Sequence, residues 1–254
     1  YGVTASPVVV HVAAGVYDEQ VDVPPAVTLS GDGQEATIIR WSGATVTNST
    51  LIALAEASRL YNCTAEFAGL HPFAVTVAVM DDASATIEHV TLDGAGNALA
   101  TGIRATGAGS SNSVVRRSTI KRVRTGLYAQ ASGISFTRTT FTDLSGDAVY
   151  VATPTTKQSG RTVPMLGDIG TPDSTLNTFR NIAGFFVSNQ TRTLVEAEQC
   201  DWGVYRTEDI QKKMLGPVDF KPFLSRGGQN VGCGGSGRPA AGDFAVLSGL
   251  ILVA

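Results

Sequence analysis

Three segments decide the fold: A-T-I-E-H-V-T-L (85–92), S-V-V-R-R-S-T-I (113–120) and I-S-F-T-R-T-T-F (134–141). Each is followed by a short strand-like piece: T-G-I-R-A (101–105), T-G-L-Y-A (125–129) and D-A-V-Y-V (147–151). Alignment pairs Ile87 with Val115 and Phe136, and Leu92 with Ile120 and Phe141, in steps of 28 and then 21 residues. Ile103, Leu127 and Val149 step by 24 and then 22. A repeat of this length, made of short β-rich pieces, predicts a solenoid whose coils stack on one another.

The rest of the chain fits that reading. Its 254 residues include 28 glycines and are 43% hydrophobic and 16% charged, which suits many short strands joined by tight turns and excludes a disordered chain. With 10 Phe, 6 Tyr and 2 Trp, the core is expected to consist mainly of Val, Ile, Leu and Ala stacks. The net charge of −3 conceals segregation: residues 1–93 hold 11 acidic and 2 basic side chains, whereas residues 94–142 hold 7 basic and none acidic. Because sequence position in a solenoid is position along the axis, this predicts an acidic end and a basic waist. That pattern suits plain surface drift, or else a polyanion partner or polar end-to-end assembly. Nucleic acid is not an expected partner, and no stretch reaches the roughly 18 apolar residues of a membrane span.

The opening, P-V-V-V-H-V-A-A-G-V-Y-D-E-Q-V-D-V-P-P-A-V-T-L-S-G-D-G (7–33) followed by A-T-I-I-R (36–40), resembles the first coil of pectin-lyase-like right-handed parallel β-helix proteins. The closing part is similar to the last coil of bacterial secreted members: Trp202-Gly203, a short helix, then V-D-F-K-P-F-L (218–224). The resemblance implies an all-β, single-stranded, right-handed parallel β-helix of seven or eight coils with three strands each, spanning residues 1–224, with a capping helix near 207–215. The helix also follows from its own residues. Thr207 is an N-cap candidate, Glu208 and Asp209 sit in the first turn, Lys212 and Lys213 come late, and Gly216-Pro217 ends it. Residues 225–242 read as a Gly-rich linker. The apolar terminus 243–254, with Phe244, Val246, Leu250 and Leu252, is open to three readings: an added strand of its own domain, a strand donated to a neighbour, or a truncated anchor.

Alternation along the repeat gives the candidate site. With Ile103, Leu127 and Val149 inside, Arg104, Tyr128 and Tyr150 point outward on consecutive coils. Phe186 is expected to extend this column, and Lys157 and Arg161, from the long insertion 153–175, to join it. Aromatic rings beside a guanidinium suit sugar rings and carboxylates, although stacked aromatics also simply stabilise sheets. Other candidates are weaker. His11 is expected to be structural, and Asp81-Asp82 a solvated turn. Among the three cysteines, Cys63 and Cys200 occupy similar inward slots, and Cys200 with Cys233 is a candidate bridge. Asn48, Asn62 and Asn189 lie in N-x-S/T sequons, and no metal or cofactor set is visible.

The pectin-lyase-like superfamily includes lyases, hydrolases and esterases, but their motif sets are absent, among them W-x-D-H, R-x-P-x-x-R and G-x-x-D-F-I-F-G. The leading expectation is therefore a non-catalytic extracellular or cell-surface protein with a structural or adhesive role, self-assembling through its ends and apolar tail. The alternative is a module or enzyme acting on an acidic polysaccharide.

Overall fold

The computed structural model describes residues 8–42, 50–67, 75–95, 97, 99–155, 161–168, 176–225 and 230–231. The chain enters with β1 (Val8–Val12) and β2 (Gly15–Asp18). It then makes seven circuits: β3 (Val21–Val23), β4 (Val27–Gly31) and β5 (Thr37–Trp41); β6 (Thr50–Leu54) and β7 (Arg59–Phe67); β8 (Val75–Asp81) and β9 (Thr86–Asp93); β10 (Ala100–Thr106), β11 (Val114–Arg116) and β12 (Thr119–Lys121); β13 (Thr125–Gln130), β14 (Ser135–Thr137) and β15 (Thr140–Leu144); β16 (Val149–Ala152), β17 (Met165–Gly167) and β18 (Thr178–Ile182); β19 (Val187–Asn189) and β20 (Val195–Ala197). After α1 (Thr207–Gln211) come β21 (Met214–Leu215), β22 (Val218–Asp219), β23 (Phe223–Leu224) and β24 (Asn230–Val231).

Strands of successive circuits pair in parallel, so the chain is a right-handed parallel β-helix with three faces. Face 1 runs β3-β6-β8-β10-β13-β16-β19-β21. Face 2 runs from β1 through β4, β7, β9, β11, β14, β17 and β20 to β22. Face 3 contains β2, β5, the second halves of β7 and β9, then β12, β15 and β18, which the bridge Thr178–Asp201 extends. Three circuits thus depart from three separate strands: two because β7 and β9 bend around the corner without breaking, and the seventh because its third face is the single bridge at Asp201. The bends are single left-handed residues, Asn62 (φ 55°) and His89 (φ 52°), and Arg117 (φ 50°) and Arg138 (φ 50°) occupy the same corner on the next coils. One left-handed residue reverses the side-chain direction and turns the strand, at a local cost of about 1–2 kcal/mol that the stacked coils must offset.

Alternation fills the interior. Ile103, Leu127 and Val149 pair in register on face 1, and Leu92, Ile120, Phe141 and Phe179 pair in register on face 3; all are fully buried. The residue that begins each inward row on face 1 has little room. A Cβ on Gly102 would lie 2.5 Å from Ile120 Cγ2, and one on Gly126 would lie 2.7 Å from Phe141 Cδ1. Small residues in this slot therefore let face 3 fill the interior. Aromatic side chains are not spread evenly but gather in the later coils, where Phe141 stacks on Phe179 (5.0 Å) and Phe179 on Trp202 (4.5 Å). Cys63 and Cys200 are buried as expected, and burial pushes the Cys63 thiol up to about 12 and the Cys200 thiol up as well.

The C-terminal expectations need correction. Arg206 is the N-cap, without a side-chain cap hydrogen bond, and Thr207 is already helical. The helix ends at Gln211, not near 215, because Met214–Leu215 adds to face 1 as a strand beside β19. Ile210 is fully buried and joins the core. The stretch read as a linker contributes Asn230–Val231, antiparallel to Phe223–Leu224. Cys233, Asn48, Lys157 and the apolar residues Phe244, Val246, Leu250 and Leu252 lie outside the described residues. Cys200 is free, and its thiol donates to the Leu166 carbonyl at 3.3 Å. Asn189 is buried with its amide donating to the Thr193 and Pro217 carbonyls at 2.8 Å, so this sequon is occupied by structure.

Candidate functional site

On face 1, Arg104 pairs with Tyr128 and Tyr128 with Tyr150, on three consecutive coils. Each stands between inward neighbours: Ile103 and Ala105, Leu127 and Ala129, Val149 and Val151, all fully buried. The two tyrosine rings are nearly parallel, with centroids 5.7 Å apart and an interplanar angle of 17°. They form a short aromatic ladder on the outer surface of a rigid sheet, half-buried by their neighbours.

Arg104 is not free to take a ligand carboxylate. Its Nη2 donates to Asp81 Oδ2 at 2.6 Å and its Nε to the same oxygen at 3.1 Å, while Thr106 Oγ1 donates to Asp81 Oδ1 at 2.8 Å. Asp81 ends β8, one coil earlier, so the carboxylate expected in a solvated turn is engaged on both oxygens. Asp82 adopts the left-handed conformation that turns the corner (φ 50°). Row-mates on the far side of the tyrosines are uncharged and polar. Gln130 donates through Nε2 to the Thr153 carbonyl at 3.0 Å, and Gln190 through Nε2 to Ser188 Oγ at 3.0 Å. The start of the long insertion therefore borders this face at Thr153.

Two expected members of the column do not join it. Phe186 is buried inside, 5.9 Å from the Phe179 ring and 5.3 Å from the Trp202 ring. It precedes β19 and is in line with Gly102, Gly126 and Ala148, so it fills with a large ring the slot that earlier coils keep small. The outward partner of Tyr150 is Ser188. Arg161 reaches the neighbouring face: its Nη2 meets Glu196 Oε2 on β20 at 3.1 Å, beside a surface cleft of about 230 Å³ that Val163 and Leu194 also line.

The basic waist is also largely neutralised. Arg116 and Arg117 hold Glu88 at 2.7 and 3.4 Å, and Lys121 and Arg122 hold Asp93 at 3.4 and 2.5 Å. Glu88 and Asp93 are buried, and the hydrogen bond to Asp93 raises the Arg122 guanidinium above its ordinary value. With Arg104, five of the seven cations in residues 94–142 are paired to carboxylates one coil earlier; among the described residues Arg124 and Arg138 have no such pair. The repeat alignment already contained this signal, since it sets Glu88 opposite Arg116. His11, at the other end, pairs with Asp32 at 2.9 Å. Among the described residues no group of three or more His, Cys, Asp or Glu side chains gathers as a metal site.

No protein-family model matches the chain, and no curated protein sequence does. Similar solved structures include a pectin methylesterase mutant in complex with a hexasaccharide, at 13% identity over 81% of this chain and 73% of that one (TM-score 0.47). Another is pectin methylesterase from Yersinia enterocolitica, at 14% identity over 78% and 76% (TM-score 0.44). A third, from Erwinia chrysanthemi, shows 12% identity over 81% and 73% (TM-score 0.41).

Proposed function

We propose that this chain is an extracellular or cell-surface β-helix that binds a glycan on face 1, in a structural or adhesive role rather than a catalytic one. The observation that carries the reading is the outward pair Tyr128–Tyr150, stacked in register on a rigid sheet. Aromatic rings offer apolar area to the C–H faces of sugars, and they lose little conformational freedom on binding when neighbours already hold them. Around them, Thr106, Gln130 and Gln190 supply hydroxyl and amide groups at positions that match the spacing of the coils. The carboxylates nearby are committed: Asp81 to Arg104 and Thr106, and one oxygen of Asp147 to the Phe185 amide at 2.8 Å.

The competing explanation is that the tyrosines serve only the sheet, as a cross-strand pair. The two explanations separate in one experiment. Oligosaccharides are screened by calorimetry against the wild type, Tyr128→Ala and Tyr150→Ala, with circular dichroism confirming the fold. Each substitution is expected to weaken glycan binding at least about tenfold, or about 1.4 kcal/mol, while the spectrum stays unchanged. Equal affinity in all three proteins removes face 1 as the site. Turnover of a bound glycan removes the non-catalytic clause.

A further inference from the structure

We infer that the glycan bound on face 1 is uncharged, and that Asp81 is the specificity-determining residue that makes it so. This rests on the glycan-binding reading above. The strands of face 1 contain three charged side chains among the described residues: Asp22, Asp81 and Arg104. Arg104 is the one cation in the row of the tyrosines, and two of its nitrogens already meet the Asp81 carboxylate.

A ligand carboxylate would have to displace Asp81 from Arg104. That exchanges one guanidinium–carboxylate pair for another, so it gains little. The resident carboxylate is on the same chain and needs no association step, whereas the ligand loses translational freedom. Displacement would also strand Asp81 next to a second anion and leave the Thr106 hydroxyl without its acceptor. Nearby rims do not change the sign. Asp147 lies in line with Thr125 at the start of the tyrosine rows, while Arg124 stands four residues before Tyr128, about 13 Å along the strand. Among the described residues, the side chains in the strand rows beside the rings are neutral: Thr106, Gln130 and Gln190, with Ser188 buried beneath them. Their hydrogen-bonding groups match hydroxyls, not carboxylates or sulfates.

Neutral oligosaccharides and oligouronates of matched length are titrated into the wild type and Asp81→Asn at low and high salt. The wild type is expected to bind the neutral ligand at least tenfold more tightly than the uronate, with little dependence on salt. Asp81→Asn releases Arg104, so uronate affinity should rise about tenfold and become sensitive to salt. The inference is overturned if the wild type prefers the uronate with salt-dependent affinity, a comparison that needs no variant. It is also overturned if a folded Asp81→Asn binds uronate no better than the wild type. Either result leaves the site on the tyrosines standing. Absence of binding by both ligand classes overturns the inference and the reading beneath it together.

Discussion

A thiol held inside the β-helix cannot ionise without leaving its packing, and this makes Cys63 a probe of the interior. Its folded value of about 12 lies above the ordinary value of about 8.5. The folded state therefore keeps a proton that the unfolded state releases between those values. Stability is full below about pH 8.5 and falls above it by up to about 1.4 kcal/mol per pH unit for one such thiol. Unfolding by denaturant should lose stability less steeply above pH 9 in Cys63→Ala than in the wild type; identical slopes would mean that Cys63 is not buried. At this scale the sequence was readable wherever alternation governs. Ile103, Leu127 and Val149 point inward, and Arg104, Tyr128 and Tyr150 outward. Phe186 was misread because it stands one residue before its strand, where the corner sets side-chain direction.

Between elements, the carboxylates of β9 act as clamps onto the next coil. Glu88 has 8% of its side chain exposed and receives two arginines, whereas Glu196 has 44% exposed and pairs with one. Removing Glu88 loses a buried acceptor shared by two half-exposed arginines and leaves a space beneath them, whereas removing an exposed partner returns both groups to water. Glu88→Ala is expected to cost about 1–3 kcal/mol of stability, and Glu196→Ala less than about 1 kcal/mol. Equal losses on denaturant unfolding would contradict the clamp. The clamp was legible in the repeat, since Glu88 and Arg116 align. The length of α1 was not, because capping residues report local preference and cannot report that β19 offers Met214–Leu215 an open edge. Helix signals in residues 207–215 competed with a strand partner 27 residues earlier in sequence, Val187 to Met214, and the strand prevailed.

Across the whole molecule, the period predicted the three-faced solenoid but the charge blocks misled. One coil holds only 21–28 residues in the central repeat, so a basic coil lies directly on an acidic one and their side chains neutralise each other. Segregation along the sequence became pairing along the axis. Among the described residues the surface beside the tyrosines is accordingly polar and close to neutral, which is what the proposed uncharged glycan requires. The structure of a complex with a neutral oligosaccharide tests this most directly. Sugar rings are predicted to lie on Tyr128 and Tyr150 of face 1, with hydroxyls reaching Thr106, Gln130 or Gln190 and the Arg104–Asp81 pair intact. A glycan bound instead in the cleft at Arg161 and Glu196, or held by an Arg104 released from Asp81, would contradict the account.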